Sequence, residues 1–170
     1  MKRIVSSLAA IAMLAGAAPA LAGPVNVTPK PTTFTLSGVV QVSQSVNLTC
    51  NLSLNVSVDA SNNMNITSGS LSGGDALCPS VVLTNFSWPT TVTAPAASAS
   101  GPATQLAVAN FRANTLTGNC QGTLTVAWNN TTKKATINST VPGTSLFASR
   151  PCTITGVLDS SNSSISIVRT

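Results

Sequence analysis

From Val46 to Val58 every second residue is apolar: Val46, Leu48, Cys50, Leu52, Leu54, Val56 and Val58. Asn47, Thr49, Asn51, Ser53, Asn55, Ser57 and Asp59 fill the gaps. Side chains of a strand alternate between two faces, so this run has one apolar face and one hydroxyl and amide face. On a helix the same apolar residues would scatter around the whole axis. The segment can bury one face as a strand and cannot do so as a helix.

Other segments obey the same rule. Phe34, Leu36, Val40 and Val42 mark a first strand, with a bulge expected at Gly38. Met64 and Ile66 mark a short one, and Val81–Trp88 and Leu106–Phe111 are more continuous apolar runs. Leu116, Gly118, Cys120, Gly122, Leu124, Val126 and Trp128 repeat the alternation, and Ala135, Ile137, Ser139 and Val141 return from a turn at 129–134. Cys152–Leu158 and Ile165–Val168 read as a closing hairpin. Ser68–Asp75 and Ala94–Thr104, rich in Gly, Ser and Pro, read as loops. Many short strands with turn signals between them predict an all-β fold, a single-domain antiparallel sandwich or barrel.

The four cysteines, Cys50, Cys78, Cys120 and Cys152, are spread widely. A four-thiolate zinc site normally needs close pairs such as C-x-x-C, so disulfides are the better reading. Four cysteines allow three connectivities. Cys50-Asn-Leu-Ser-Leu-Asn-Val56 and Cys120-Gln-Gly-Thr-Leu-Thr-Val126 share Ser/Thr-Leu-polar-Val at matching offsets. Each is followed by a second cysteine beside a proline, in Cys78-Pro79 and Pro151-Cys152. This weak internal duplication favours Cys50–Cys78 and Cys120–Cys152, one bridge per half.

The amino end supplies the compartment. Met1-Lys2-Arg3, an apolar run from Ile4 to Ala18, Pro19 and Ala20-Leu21-Ala22 have the form of a signal peptide of bacterial type. The run is shorter than the ~20 residues that span a bilayer, and no later segment is a membrane-helix candidate. Residues 1–22 are therefore expected to be removed, leaving residues 23–170 as one secreted β-rich domain, extracellular by way of the periplasm. Loss of Lys2 and Arg3 lowers the net charge from +5 to +3. The remaining basic residues form no stripe of the kind that binds nucleic acid.

Chemistry is limited by what is missing. The chain has no His, Glu or Tyr, and its only acids are Asp59, Asp75 and Asp159. General acid–base and nucleophilic catalysis need groups that move protons or attack. With the thiols oxidised, no catalytic residue, metal ligand or cofactor site is expected. Charged residues make up 6% of the chain, against about 25% in ordinary soluble proteins. Such a surface repels copies of itself weakly, so self-association or adsorption at interfaces is an expectation. Of the aromatics, Phe34 and Trp128 keep strand alternation and are expected in the core. Trp88, before Pro89, and Phe147, in a loop before Arg150, are the two expected to turn outward toward an apolar partner. A sugar-binding cleft with exposed aromatics and carboxylates, or an inhibitor, has no residue-level support.

Phe34-Thr-Leu-Ser-Gly38, Val46-Asn-Leu-Thr-Cys50-Asn-Leu-Ser-Leu-Asn-Val56, Ala76-Leu-Cys78 with Val81-Val-Leu83, and Phe86-Ser-Trp88-Pro89 carry a resemblance. Gly118-Asn-Cys120-Gln-Gly122, Val126-Ala-Trp128-Asn129 and Cys152-Thr-Ile-Thr-Gly-Val-Leu158 complete it. The chain resembles the secreted alkane-oxidation activator proteins of pseudomonads, the Pra family. The resemblance implies an extracellular, non-enzymatic protein that promotes oxidation of long-chain alkanes by aiding hydrocarbon dispersal or uptake, with hydrocarbon or cell-surface material as its partner. The alternative is a structural or adhesive surface or fibre subunit assembling by strand addition, with Gly23–Thr33 as the exchanged segment.

Overall fold

The computed structural model describes residues 25–95, 99–145 and 149–170. The expected signal peptide and Phe147 lie outside them. In chain order the strands are β1 (Val25–Thr28), β2 (Thr32–Ser43), β3 (Asn47–Val58), β4 (Met64–Ser72), β5 (Val82–Thr84), β6 (Trp88–Ala94), β7 (Gly101–Pro102), β8 (Gln105–Thr115), β9 (Gly118–Asn129), β10 (Lys134–Val141), β11 (Gly143–Ser145), β12 (Cys152–Ser160) and β13 (Ser166–Arg169). A 3-10 turn at Cys78–Ser80 precedes β5.

Strands β2, β3, β4, β6, β8, β9, β10 and β12 form a closed antiparallel barrel. Each pairs with the next along the chain, and β12 returns to β2 with Ile154 opposite Val42 and Gly156 opposite Val40. This is an up-and-down barrel closed by the β12–β2 pairing, with β4 meeting β6 over Met64–Ile66. Of the two architectures the alternation allows, the barrel is the one formed.

The alternation sets inside from outside. On β3, Cys50, Leu52, Leu54, Val56 and Val58 are buried while Asn51 and Asn55 are exposed. Opposite and neighbouring strands add Phe34, Leu36, Ile66, Val108, Leu124 and Trp128. Apolar side chains inside and Ser, Thr and Asn outside are the reverse of a membrane-embedded barrel. The interior is filled: two cavities of about 30 Å³ each remain, lined almost wholly by apolar side chains. Ligand pockets run to ~300–1,000 Å³, so this barrel has no room for a cargo molecule.

Strands β9 and β10 pair from Val126–Asn129 to Ile137–Lys134 and then separate. The buried Ser139 hydroxyl fills the gap, accepting from the Thr125 N–H at 2.8 Å and donating to the Thr125 carbonyl at 2.7 Å. It replaces the main-chain partner that Thr125 loses.

A separate sheet, β1–β13–β7, lies across one end. Val27 pairs with Ile167, and both are buried with Ile165 and Ala103. Ile167 reaches the same cavity as Phe34 and Trp128, so this sheet caps the barrel. The buried Arg169 guanidinium donates to the Val92 carbonyl on the barrel wall.

Several sequence expectations change. Cys152–Leu158 and Ile165–Val168 do not form a hairpin, because both edges of β12 are taken by β10 and β2, leaving β13 to cross to β1 and β7. Ser68–Ser72 is strand rather than loop, since β3 supplies its ladder, Ser53 opposite Ser70. The Ala94–Thr104 stretch contains β7. Gly38 causes no bulge against β3; it permits a close approach, since a Cβ there would lie 2.2 Å from the Val157 carbonyl oxygen.

Candidate functional site

The end opposite the cap is pinned by both disulfides. Cys50 joins Cys78 with a Cα separation of 5.6 Å, and Cys120 joins Cys152 at 5.9 Å. The pairing is the one the internal duplication favours, and no cysteine among the described residues is free. The first bridge draws the segment between β4 and β5 down onto β3. The second ties β9 to the start of β12 just past the end of β10, where Val141 pairs with Cys152 and Gly143 with Cys120.

Local hydrogen bonds complete the clamp. Asp75 accepts from the Thr49 N–H at 2.6 Å and returns its own N–H to the Thr49 carbonyl at 3.0 Å. Gly74 must be glycine here: its φ is +69°, and a Cβ would lie 2.0 Å from the Thr49 carbonyl oxygen. Gln44, in the β2–β3 turn, donates to the carbonyls of Thr144 at 3.0 Å and Asn119 at 3.3 Å. Its own side-chain oxygen accepts from the Thr115 hydroxyl at 2.9 Å. One amide thus joins the β2–β3 turn, β8, β9 and β11.

This framework holds three apolar side chains in the open. Val46 is 52% exposed, Leu77 42% and Leu116 59%. They come from three separate connections, yet they line one shallow hollow of about 60 Å³, floored by Val42, Leu48 and Val81. No charged side chain lines it. Scattered exposed apolar residues are ordinary; these three share one rim.

Trp88 is a correction. It was expected to face outward, but it is fully buried. Its ring stacks on Phe86 at 4.3 Å and meets Phe111 edge-on at 5.1 Å, and its indole N–H donates to the Thr84 carbonyl at 3.0 Å. Position 88 begins β6 on the inward face, so Pro89 takes the outward one. Phe147, the other expected contact, lies outside the described residues.

Val46, Leu77 and Leu116 were missed because Val46 and Leu116 look like members of the alternating runs that follow them. The available signal was local: each lies in a turn or loop, beside Gln44-Ser45, Ala76 and Thr117-Gly118, where burial is not expected.

The three carboxylates do not converge. Asp59 accepts from the main chain of Ser61 and Asn63 in the β3–β4 turn, Asp75 is held by Thr49, and Asp159 pairs with Lys134. Among the described residues no group of three or more His, Cys, Asp or Glu side chains could hold a metal ion. No helix among them is long and apolar enough to cross a membrane.

The family model described as alkane oxidation protein activator PraA/PraB-like matches residues 1–168. The chain belongs to that family. No curated protein and no solved structure gives a significant match. For this PraA/PraB-like chain the family description names a process, activation of alkane oxidation.

Proposed function

We propose that this PraA/PraB-like protein is an exported, non-catalytic activator of long-chain alkane oxidation that works by adsorbing to hydrocarbon through the rim of Val46, Leu77 and Leu116. The observation that carries this reading is their convergence, from three connections, on one uncharged hollow. The packed interior directs the contact to the outside, since cavities of about 30 Å³ cannot enclose an alkane chain. The absence of His and Glu, the cystines and the structural duties of each Asp support a surface role over a chemical one. Two disulfides suit a protein that matures in an oxidising compartment.

The energies are adequate for reversible adsorption. Fully burying a Val or Leu side chain stabilises by ~1.5–3 kcal/mol. With about half of each side chain still to be covered, the three together contribute about 2–4 kcal/mol, roughly thirtyfold to a thousandfold in partition. Strand addition, the rival reading, would have to use the edges of the capping sheet, β1 and β7, and β1, within Gly23–Thr33, already pairs on its other side with β13 of its own chain.

Interfacial tension at a hexadecane–water drop tests the reading. The purified protein is expected to lower it, and Val46→Ser/Leu77→Ser/Leu116→Ser to lose most of that effect while unfolding at an unchanged denaturant midpoint. Added to a strain deleted for this protein, the wild type is expected to restore emulsification and growth on hexadecane. Full interfacial activity in the triple variant would remove the rim as the site.

A further inference from the structure

A second surface, on the outer wall of the barrel, is built from a different chemistry. Across β10, β12, β2 and β3 the register places Asn138, Thr155, Gln41 and Thr49 in one row. Thr140, Thr153, Ser43 and Asn47 form the next row, two residues along. These residues line a single hollow of about 520 Å³. No charged and no aromatic side chain lines it.

We propose that this hollow binds an uncharged polysaccharide chain. Hydroxyls and carboxamides each offer both donor and acceptor capacity, so the matching ligand presents both in a dense, repeating array, as sugar rings do. Strands are about 4.8 Å apart and rows roughly 6.7 Å apart, the scale of one sugar ring. The groups are available: among the described residues the side chains of Gln41, Thr49, Asn138, Thr140, Thr153 and Thr155 make no hydrogen bond within the protein. Ser43 and Asn47 bond to each other. An ionic ligand would meet no counter-charge in the lining, which holds no charged side chain, and Lys134 and Asp159 neutralise each other farther along the wall. A nucleobase or aromatic ligand would find no ring to stack on. The volume falls within the ~300–1,000 Å³ of small-ligand sites, and the threonine methyls offer apolar contact to the C–H faces of a sugar.

This inference does not rest on the hydrocarbon reading. The rim lies on the loops at the barrel's end and the hollow on its wall, so a protein with both could link an alkane surface to a neutral polysaccharide coat.

The test is calorimetric titration of the purified full chain with cellohexaose, maltohexaose and laminarihexaose, and with oligogalacturonate as the anionic counterpart. Saturable binding of at least one neutral oligosaccharide is expected, weakened about tenfold or more by Thr153→Val/Thr155→Val, which removes two hydroxyls at nearly constant shape. Valine favours strands, so this variant is expected to keep the unfolding midpoint, and its adsorption to hexadecane is expected to be unchanged. No binding of any neutral oligosaccharide at millimolar concentration, equal binding by the double variant, or tighter binding of oligogalacturonate would each overturn the proposal.

Discussion

The side chain of Asn130 pairs with the main chain of Ile167 at both ends, its Nδ2 donating to the Ile167 carbonyl at 2.8 Å and its Oδ1 accepting from the Ile167 N–H at 2.9 Å. One amide at the β9–β10 turn thereby acts as a strand partner for β13 and anchors the cap to the barrel. The same Oδ1 accepts from the Trp128 indole N–H at 3.0 Å. Asn130→Ala would leave the Ile167 and Trp128 donors buried without partners, at about 1–3 kcal/mol each. The expected loss is about 2–6 kcal/mol, read as a lower urea midpoint with an unchanged slope. Asn130→Asp keeps the acceptor but sets an oxygen against the Ile167 carbonyl, so it is expected to destabilise as well. An Asn130→Ala midpoint equal to wild type would show that this amide does not hold the cap.

Trp88 is the centre of the other aromatic cluster, between Phe86 and Phe111. Trp88→Ala is expected to cost about 3–5 kcal/mol, as large-to-small changes at packed aromatic sites do. Trp88→Phe should cost less, losing the bond to the Thr84 carbonyl and some volume. Both tryptophans are buried, so acrylamide should quench the native fluorescence weakly and the unfolded chain strongly. Strong quenching in the native state would contradict the burial of this side chain.

Strand faces are legible in this sequence because period two is a property of neighbours along the chain. The alternation marks the buried residues from Cys50 to Val58, with Leu48 partly buried, and likewise Cys120, Leu124, Val126 and Trp128. The cystine pairing was legible through the matching offsets after Cys50 and Cys120. In space this duplication becomes two four-stranded halves, β2–β3–β4–β6 and β8–β9–β10–β12, each with a bridge from its second strand to the approach of its fourth. Barrel closure was not legible, since the pairing of β12 with β2 joins distant parts of the chain and leaves no local mark. The end of β4 was hidden because Ser68-Gly69-Ser70 has no apolar period of its own and is ordered by β3. Trp88 was misread because Pro89 suggested a break, whereas the proline sits on the outward face of β6. The rim was invisible for the same reason as the closure: Val46, Leu77 and Leu116 meet only after the chain has folded.

Each disulfide closes a loop spanning 28 or 32 residues. Loop-closure entropy at that length corresponds to about 3.5 kcal/mol per bridge. Cys120→Ala/Cys152→Ala is expected to lower stability by about that amount, as is Cys50→Ala/Cys78→Ala. The two should differ in function, because only Cys78 adjoins Leu77. Loss of the Cys50–Cys78 bridge is expected to weaken adsorption to hexadecane more than loss of the other. Alkylation of the native exported protein followed by mass measurement should find no modified thiol, and a modified fraction would show that the bridges are not both formed.

The chain's stability should respond to acid and hardly at all to neutral pH. No side chain in it has an ordinary pKa between about 4 and 10, since His, Glu and Tyr are absent and the cysteines are bridged. Asp59 supplies a response at the acid end. The side-chain amide of Asn63, followed by the Asn63 N–H and, less, the Ser61 N–H, holds its carboxyl below the ordinary carboxylate range, against an opposing effect of desolvation. A carboxyl whose folded pKa is depressed stabilises the fold above its unfolded pKa and loses that contribution as pH falls through the folded value. Urea midpoints are therefore expected to be flat from about pH 5 to 9 and to decline below about pH 4. Asp59→Asn should start lower at neutral pH, because it gives up the charged acceptor of the β3–β4 turn, and should fall less steeply in acid. A stability step between about pH 5 and 7 would require a titrating side chain that the sequence does not contain.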